Sequence, residues 1–377
     1  MIPELSKHVA KVKCENNDGW TTLNNAAIDG DVEVVRELLQ HANNYGWTPL
    51  MSAAFHGRVK VVRELLKHGA NVESASKCGW TALKRAAFHG RVEVVRELLQ
   101  HGADLESANE DVWTALMSAA FNGHLEVVQE LLKHGADTES ASKCGWTALK
   151  TASFNGKVEV VRELLERGAN VENTGKCDST SANNYAWKPL RSAAFHGHVE
   201  VVRELLERGA NVESANEDGW TALKSAAFNG KVEVVRELLE RGANVESADK
   251  DGWTALNSAA FHGHVEVVRE LLKHGANVES ANNSGWTALK SAAFKGHVEV
   301  VRELLNHGAN VESADKDGWT ALNSAAFHGH VDVVRELLQH GANVKSANNS
   351  GWTPLDNAIY NRHEEVVEEL LNYRANE

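Results

Sequence analysis

The chain has 377 residues, with 39 lysines and arginines against 52 aspartates and glutamates, and a formal net charge of −13 at pH 7. This acidic balance argues against a surface that binds nucleic-acid phosphates. No apolar run approaches the roughly 18 residues that suggest a membrane-spanning helix, so membrane insertion is not expected either. The first residues, MIPELSKHVAKVKC, lack the apolar segment of a secretory signal, so we expect a cytoplasmic location.

Eleven tryptophans mark an internal repeat. Eight of the ten intervals between them are 33 residues, and the exceptions are 27 residues (Trp20 to Trp47) and 41 residues (Trp146 to Trp187). All nine phenylalanines lie eight residues after a tryptophan, in repeats two to ten. A period of this length, kept along almost the whole chain, predicts a stack of similar units rather than separate globular domains.

The repeats divide the chain into segments. Residues 1–14 are predicted to be a capping helix or a frayed segment, and residues 15–172 contain repeats one to five. An inserted surface loop and hinge is expected at residues 173–182, where the spacing lengthens. Repeats six to eleven occupy residues 183–377, and a polar C-terminal cap is predicted because Glu364 replaces the Val or Leu of other repeats.

Each unit predicts two helices and a turn, as residues 219–251 illustrate. Thr221 is the expected N-cap of a short helix that ends at Gly230 and buries a leucine and an Ala-Ala pair. Valine and leucine recur on one face of the next segment, KVEVVRELLERG, which predicts a second amphipathic helix. The polar stretch that follows ends in Asp251 and Gly252, a hairpin-turn signal. Such short helices bury their apolar stripes only by stacking on neighbours.

The unit carries Gly-x-Thr-Pro/Ala-Leu, Ala-Ala, Gly-His-x-Glu-Val-Val, Leu-Leu and Gly-Ala-Asn-Val, and in this it resembles the ankyrin repeat. Eleven copies cover residues 15–377. The resemblance implies an all-α solenoid of helix–loop–helix units with projecting β-hairpin-like loops, called fingers below. It also implies a concave groove, lined by the first helices and the fingers, that binds protein partners.

Two departures from the family pattern bear on the groove. The histidine that usually follows Thr-Pro-Leu is absent from every copy, and most copies have lysine or asparagine there. The hydrogen bonds that this histidine makes in the family must therefore be replaced or lost. The turn glycine is also missing at Val112 and Ala186, and Val112 is strained if that position needs a positive φ.

The candidate partner-binding residues are the repeating tryptophans and phenylalanines and the basic residues at the substituted histidine position. They are Trp47, Phe55, Trp80, Lys84, Phe88, Trp113, Phe121, Trp146, Lys150, Phe154, Trp187, Arg191, Phe195, Trp220, Lys224, Phe228, Trp253, Phe261, Trp286, Lys290, Phe294, Trp319 and Phe327. The aromatic side chains are either anchors for a partner or braces between repeats. The basic side chains either receive an acidic segment or belong to a solvated surface of alternating charge.

No pattern indicates catalysis, a cofactor or a metal. The serines lack a nucleophile motif, and the three His-Gly-His triplets lack a third ligand at fixed spacing. We therefore expect a monomeric, non-enzymatic scaffold or adaptor that binds protein partners, with the variable finger tips as selectors. The alternative is a substrate-recognition subunit of a multi-protein enzyme such as a ubiquitin ligase. Acid-sensitive binding is a further hypothesis, because protonating the histidines would add much positive charge.

Overall fold

A computed structural model describes residues 27–29, 32, 45–107, 112–173 and 187–376. The predicted cap at residues 1–14 lies outside the described residues, as does all of the predicted 173–182 insertion except Asn173. The chain divides into two compact units, Met1–Pro189 and Leu190–Glu377.

Each described repeat, from repeat two onward, contains a first helix of seven or eight residues and a second helix. The first unit contains α1 (Pro49–His56), α2 (Val59–Lys67), α3 (Ala82–Phe88), α4 (Val92–Gln100), α5 (Ala115–Asn122), α6 (Leu125–Lys133), α7 (Ala148–Phe154) and α8 (Val158–Glu166). From the unit boundary onward the helices are α9 (Pro189–His196), α10 (Val199–Glu207), α11 (Ala222–Phe228), α12 (Val232–Glu240), α13 (Ala255–His262), α14 (Val265–Lys273), α15 (Ala288–Lys295), α16 (Val298–Asn306), α17 (Ala321–His328), α18 (Val331–Gln339), α19 (Pro354–Tyr360) and α20 (Glu364–Asn376). The described ranges contain no β-strand. This confirms the all-α repeat architecture.

The helix ends follow the predicted chemistry. The Thr221 hydroxyl accepts a hydrogen bond from the Lys224 amide at 3.2 Å, as an N-cap residue does. Pro49, Pro189 and Pro354 each occupy the first position of a first helix, where the missing N–H costs nothing. The first helices stop where the chain enters the left-handed region, as at Gly263 (φ 78°).

The core lies between two rows of helices. In each unit, first helices pack against neighbouring first helices and second helices against neighbouring second helices. Ala226, Ala227, Val235 and Leu238 are completely buried in this arrangement. The small alanines let the first helices approach closely, and every repeat buries its stripe against the next one.

Charged side chains join neighbouring second helices. The Arg302 guanidinium donates to Glu336 of the next repeat at 2.9 Å and to Glu299 of its own helix at 2.8 Å. An arginine contacts the glutamate 34 residues further on in the same way at Arg63, Arg96, Arg203, Arg236, Arg269 and Arg335. A half-exposed pair of this kind contributes about 0.2–1 kcal/mol, and the contact recurs between successive repeats.

Each finger is a tight turn bound to its neighbour. The Trp253 amide donates to the Asp249 carboxylate at 2.8 Å, and the Gly252 amide donates to the Asp249 carbonyl at 2.9 Å. The Lys250 amide reaches back to the Asp218 carbonyl of the preceding finger at 2.9 Å. The fingers are thus hairpin-like, as predicted.

The turn position after the finger tip requires a positive φ. Gly252 has φ 80° and Gly318 has φ 77°, and Val112 adopts φ 59° at the equivalent position. The expectation of strain at Val112 is confirmed, because a β-branched residue is disfavoured in the left-handed region. Ala186 lies outside the described residues.

Candidate partner-binding groove

A tilted or edge-to-face Trp–Phe pair recurs in eight of the described repeats. The rings of Trp220 and Phe228 are 5.2 Å apart at 61°, and those of Trp253 and Phe261 are 5.5 Å apart at 89°. Comparable pairs are Trp47–Phe55, Trp80–Phe88, Trp113–Phe121, Trp146–Phe154, Trp286–Phe294 and Trp319–Phe327. Rings at these separations attract one another beyond the effect of burial.

The aromatic side chains are half-buried. All of the candidate tryptophans, including Trp187, are of intermediate exposure, and so are the phenylalanines, including Phe195, apart from the exposed Phe121. Each pair lies on top of the sealed alanine, valine and leucine core and outside it. One part of each ring packs within the protein while another part reaches solvent. The structure is thus compatible with both bracing and anchoring, and partner binding by these residues stays a prediction.

The basic residues at the substituted histidine position do not line an open groove. Lys84 and Lys150 are 1 % exposed, Lys224 and Lys290 are 2 % exposed, and Arg191 is 5 % exposed. Both sequence interpretations assumed solvated side chains, and the structure corrects this. These five side chains lie inside the stack because their position is on the buried side of the first helix, close to the next finger.

Two of these lysines form buried ion pairs with the following finger. The ammonium groups of Lys224 and Lys290 contact the carboxylates of Asp249 and Asp315, whose side chains are 7 % and 5 % exposed. In addition, each ammonium lies 4.5 Å from the ring centroid of the tryptophan four residues before it. Removing one partner of such a pair leaves a buried charge without compensation.

The other lysines of this class bond to backbone oxygens. The Lys84 ammonium donates to the Gly79 carbonyl at 2.5 Å, and the Lys150 ammonium donates to the Gly145 carbonyl at 3.1 Å. Burial lowers the pKa of Lys84 to about 8. Burial also lowers the pKa of Lys290 to about 8 and the pKa of Arg191 to about 10.

Asparagine performs the same linking role in alternate repeats. The Asn257 side-chain oxygen accepts from the Thr254 amide at 3.3 Å, completing a capping box. Its NH₂ group donates to the Ser280 and Trp286 carbonyls at 3.1 and 3.3 Å. Asn323 makes the equivalent contacts two repeats further along the chain. In these repeats the bonds of the absent motif histidine are replaced, not lost.

Sequence reasoning missed a coupling between this position and the finger 25 residues later. Lys224 is followed by Asp249 and Lys290 by Asp315, whereas Asn257 is followed by Asn282 and Asn323 by Asn348. The first residue of each of these finger tips, such as Asp249, therefore accepts hydrogen bonds within the fold. The exposed tip residues are the next two in each finger: Lys77, Cys78, Lys143, Cys144, Glu217, Asp218, Lys250, Asp251, Asn283, Ser284, Lys316, Asp317, Asn349 and Ser350. The alternation of Lys with Asp and of Asn with Asn was the signal that could have revealed this.

Several histidines link neighbouring repeats. The His264 Nε2 atom lies 3.0 Å from the Phe228 carbonyl, and the His297 Nε2 atom lies 3.1 Å from the Phe261 carbonyl. These contacts require the Nε2–H tautomer, and the pKa values of both histidines are lowered, mainly by burial. Within the part of the chain that the structure describes, no group of three or more His, Cys, Asp or Glu side chains is placed to hold a metal ion.

Comparison with protein families identifies the architecture. A family model described as ankyrin repeats (3 copies) matches residues 1–76, 65–142, 102–175, 134–216, 172–249, 244–315 and 307–377. The chain belongs to the ankyrin repeat family. Ankyrin repeats are generally protein–protein interaction modules, and the fold is typically non-catalytic. No curated protein matches the chain. Among the described residues, no helix is long and apolar enough to cross a membrane.

Proposed function

We propose that this ankyrin repeat protein is a non-enzymatic scaffold or adaptor that binds a protein partner along the aromatic groove. The groove is the row of Trp–Phe pairs together with the exposed tip residues of the fingers. The main support is that the aromatic rings lie outside the sealed core. The apolar layer beneath them is 0–2 % exposed at Leu223, Ala226, Ala227 and Leu238, yet a half-exposed ring pair recurs above it.

Rings in such a row supply the kind of contact that dominates protein interfaces. Tryptophan and tyrosine are enriched among the residues that carry most binding energy, and a rigid scaffold limits the entropy lost on binding. The finger tips add selectivity, since Lys250 and Asp251 alternate with Asn283 and Ser284 on an otherwise constant frame. A partner would span several repeats, with aromatic anchors in the middle and polar tips at one side.

The test is quantitative capture of proteins from lysate of the source cells by three forms of the full chain. The groove variant carries Trp253→Ala, Phe261→Ala, Trp286→Ala and Phe294→Ala. The matched control carries Arg269→Ala and Arg302→Ala on the second helices, where the arginine side chains are 48 % and 45 % exposed. Circular dichroism checks the fold of each form.

We expect specific proteins to be captured by the wild type and the arginine control and lost from the groove variant. Equal capture by the groove variant, with its helicity intact, would refute the proposal. Loss of helicity in the groove variant would assign the rings to bracing, and single Trp253→Ala and Trp286→Ala variants would then be compared in the same way.

The same experiment distinguishes the scaffold or adaptor function from the alternative function. A substrate-recognition subunit of a ubiquitin ligase would capture ligase components together with the selected proteins. We further propose a monomer in the cytoplasm, which light scattering and cell fractionation test directly. The polar C-terminal cap remains part of this proposal; Glu364, at its centre, is exposed.

A further inference from the structure

We propose that the edge of the second unit where the first helices turn into the second helices docks an acidic, extended polypeptide segment. This edge is called the turn strip below, and it consists of Lys231, His262, His264, Lys295, His297, His328, His330, Arg362 and His363. The inference rests on the proposed protein-binding function and specifies the chemistry of a partner.

The turn strip is basic in an acidic protein. Six segments join first to second helices in this unit, and the strip takes in the last five of them. They read FHGH (195–198), FNGK (228–231), FHGH (261–264), FKGH (294–297), FHGH (327–330) and YNRH (360–363). None contains aspartate or glutamate, although the chain has a net charge of −13. At neutral pH two lysines and one arginine supply fixed positive charge, and six histidines can add more on acidification.

Contacts with phenylalanine rings hold one row of these groups in place. The His262 ring lies 4.0 Å from the Phe228 ring of the preceding repeat, measured between centroids. The Lys295 ammonium lies 4.6 Å from the Phe261 ring centroid in the same relation. The next repeat returns to histidine, with the His328 and Phe294 ring centroids 4.3 Å apart, so the row places one basic group against one phenylalanine in three successive repeats. Contact with the phenylalanine ring orders these side chains, and the ring also attracts the Lys295 ammonium charge.

A second row is fixed by hydrogen bonds. His264, His297, His330 and His363 each place Nε2 2.9–3.1 Å from the phenylalanine carbonyl of the preceding repeat. The neighbouring His262 and His264 rings lie nearly parallel, with centroids 6.1 Å apart. The strip is therefore preorganised, which reduces the entropy lost when a partner binds.

Nearby carboxylates are already engaged elsewhere. Glu266 pairs with Arg269 at 2.5 Å, and Glu299 pairs with Arg302 at 2.8 Å, one turn further along the second helices. Asp332 contacts Arg335 in the same way. Within the described part of the second unit, neither Lys231 nor Lys295 has a carboxylate within salt-bridge distance.

The groups that act on the histidines of the strip are themselves basic. His264 faces His262, His297 and Lys231. His297 faces His262, His330 and Lys295, and His328 faces His330, His363 and Lys295. Burial is the main cause that lowers the pKa values of these three histidines, and the neighbouring basic groups lower them further. Acidification consequently adds charge that no group of the strip neutralises, and a carboxylate-bearing partner would neutralise it.

The spacing of the strip fits an extended chain. Packed helices lie about 8–10 Å apart, so one basic site recurs at roughly that distance. A polyproline II segment rises about 3.1 Å per residue, so every third residue advances about 9 Å. A segment with a glutamate at every third position would place one carboxylate beside each repeat.

The probe is a fluorescent peptide of four Glu-Ser-Pro units, with four Gln-Ser-Pro units as its neutral counterpart. Binding to the full chain is measured by anisotropy from pH 8 to pH 5, at protein concentrations kept low because the isoelectric point is near 5.8. The strip variant is His262→Asn, Lys295→Asn and His328→Asn. Asparagine already occupies this position at Asn229, where its NH₂ donates to the Ser225 carbonyl at 2.8 Å, just as His262 contacts the Ser258 carbonyl at 3.0 Å. The strip variant should therefore fold.

The matched control is Lys250→Asn and Lys316→Asn at the finger tips, where other fingers carry Asn283 and Asn349. At pH 7.5 this control removes two lysine charges and the strip variant removes one, so a non-specific electrostatic effect at that pH would weaken the control more. We expect the glutamate peptide to bind the wild type and the control about tenfold more tightly at pH 5.5 than at pH 7.5, and the strip variant, which keeps four of the six histidines, to bind several-fold more weakly than both at pH 5.5.

Three results would overturn the inference: no binding of the glutamate peptide, equal binding of the glutamine peptide, or binding by the strip variant at pH 5.5 as tight as that of the wild type. Binding that is lost only from the finger-tip control would assign the acidic segment to the fingers instead. The strip variant keeps every tryptophan and phenylalanine of the aromatic groove, and the proposed function stands or falls by its own capture experiment.

Discussion

The buried lysine–aspartate pairs give a sharp test, because the chain itself contains the neutral alternative. Met51 and Met117 occupy the lysine position in two repeats and are 0 % and 1 % exposed. The matching finger residues there are Ser76 and Ser142. We predict that Lys290→Met alone destabilises the protein and that Lys290→Met with Asp315→Ser restores it.

The expected change in the free energy of unfolding depends on which polar groups each substitution leaves buried without a partner. Lys290→Met leaves the Asp315 carboxylate 5 % exposed, with backbone donors on only one of its oxygens, so we expect a loss of about 2–4 kcal/mol. Serine removes the charge and keeps the acceptor, since the Ser76 hydroxyl accepts from the Trp80 amide at 3.1 Å. The double variant should lie within about 1 kcal/mol of the wild type.

Asp315→Ser alone should be milder than Lys290→Met. The pKa of Lys290 is already lowered to about 8, so the lysine can lose its proton at modest free-energy cost when its partner is removed. The assay is hydrogen exchange of residues 286–330 read by mass spectrometry, because long repeat arrays do not always unfold in a single step. Wild-type protection in Lys290→Met, or a double variant as labile as the single one, would refute the reasoning.

Three further predictions concern backbone strain, steric contact and pH. Val112→Gly should raise the thermal midpoint by relieving about 1 kcal/mol of left-handed strain, and an unchanged or lower midpoint would contradict that strain. Gly230→Ala should lower the urea midpoint more than Gly242→Ala. Both glycines have a positive φ, but only a Cβ at residue 230 would lie 2.6 Å from the His264 ring, so equal effects would show that the ring moves aside. Burial lowers the pKa values of His264 and His297, so below about pH 6.5 the unfolded chain binds more protons than the folded one. The free energy of unfolding, measured by urea titration, should therefore fall from pH 7 to pH 5.5, and a rise would contradict this prediction.

Local sequence chemistry predicted most of the repeat. Threonine caps, proline at the first helical position and glycine at the turns act within a few residues of their own position, and the structure places Thr221 and Gly263 accordingly. The strain at Val112 was also predictable, because the other repeats show what backbone conformation the position requires.

The environment of the lysines could not be predicted in the same way. Lys224 reads as a surface residue by type, and its neighbours in sequence do not reveal that the next finger closes over it. Burial of a charge depends on a partner 25 residues away, and that partner becomes visible only when both repeats are stacked. The partial burial of Phe228 has the same origin, since its ring contacts His262 of the next repeat.

The sequence by itself determined the repeat, its two helices and its finger, because period, capping and apolar spacing act over short distances along the chain. Only the tertiary structure decided which polar groups face solvent and which face the next repeat. In a stack, that choice depends on contacts between residues 25 to 36 positions apart, such as Asp315 with Lys290 and His264 with Phe228. The free energy of those contacts is the difference between the cost of desolvating the polar groups and the hydrogen bonds they form across the interface between repeats, which no single repeat contains.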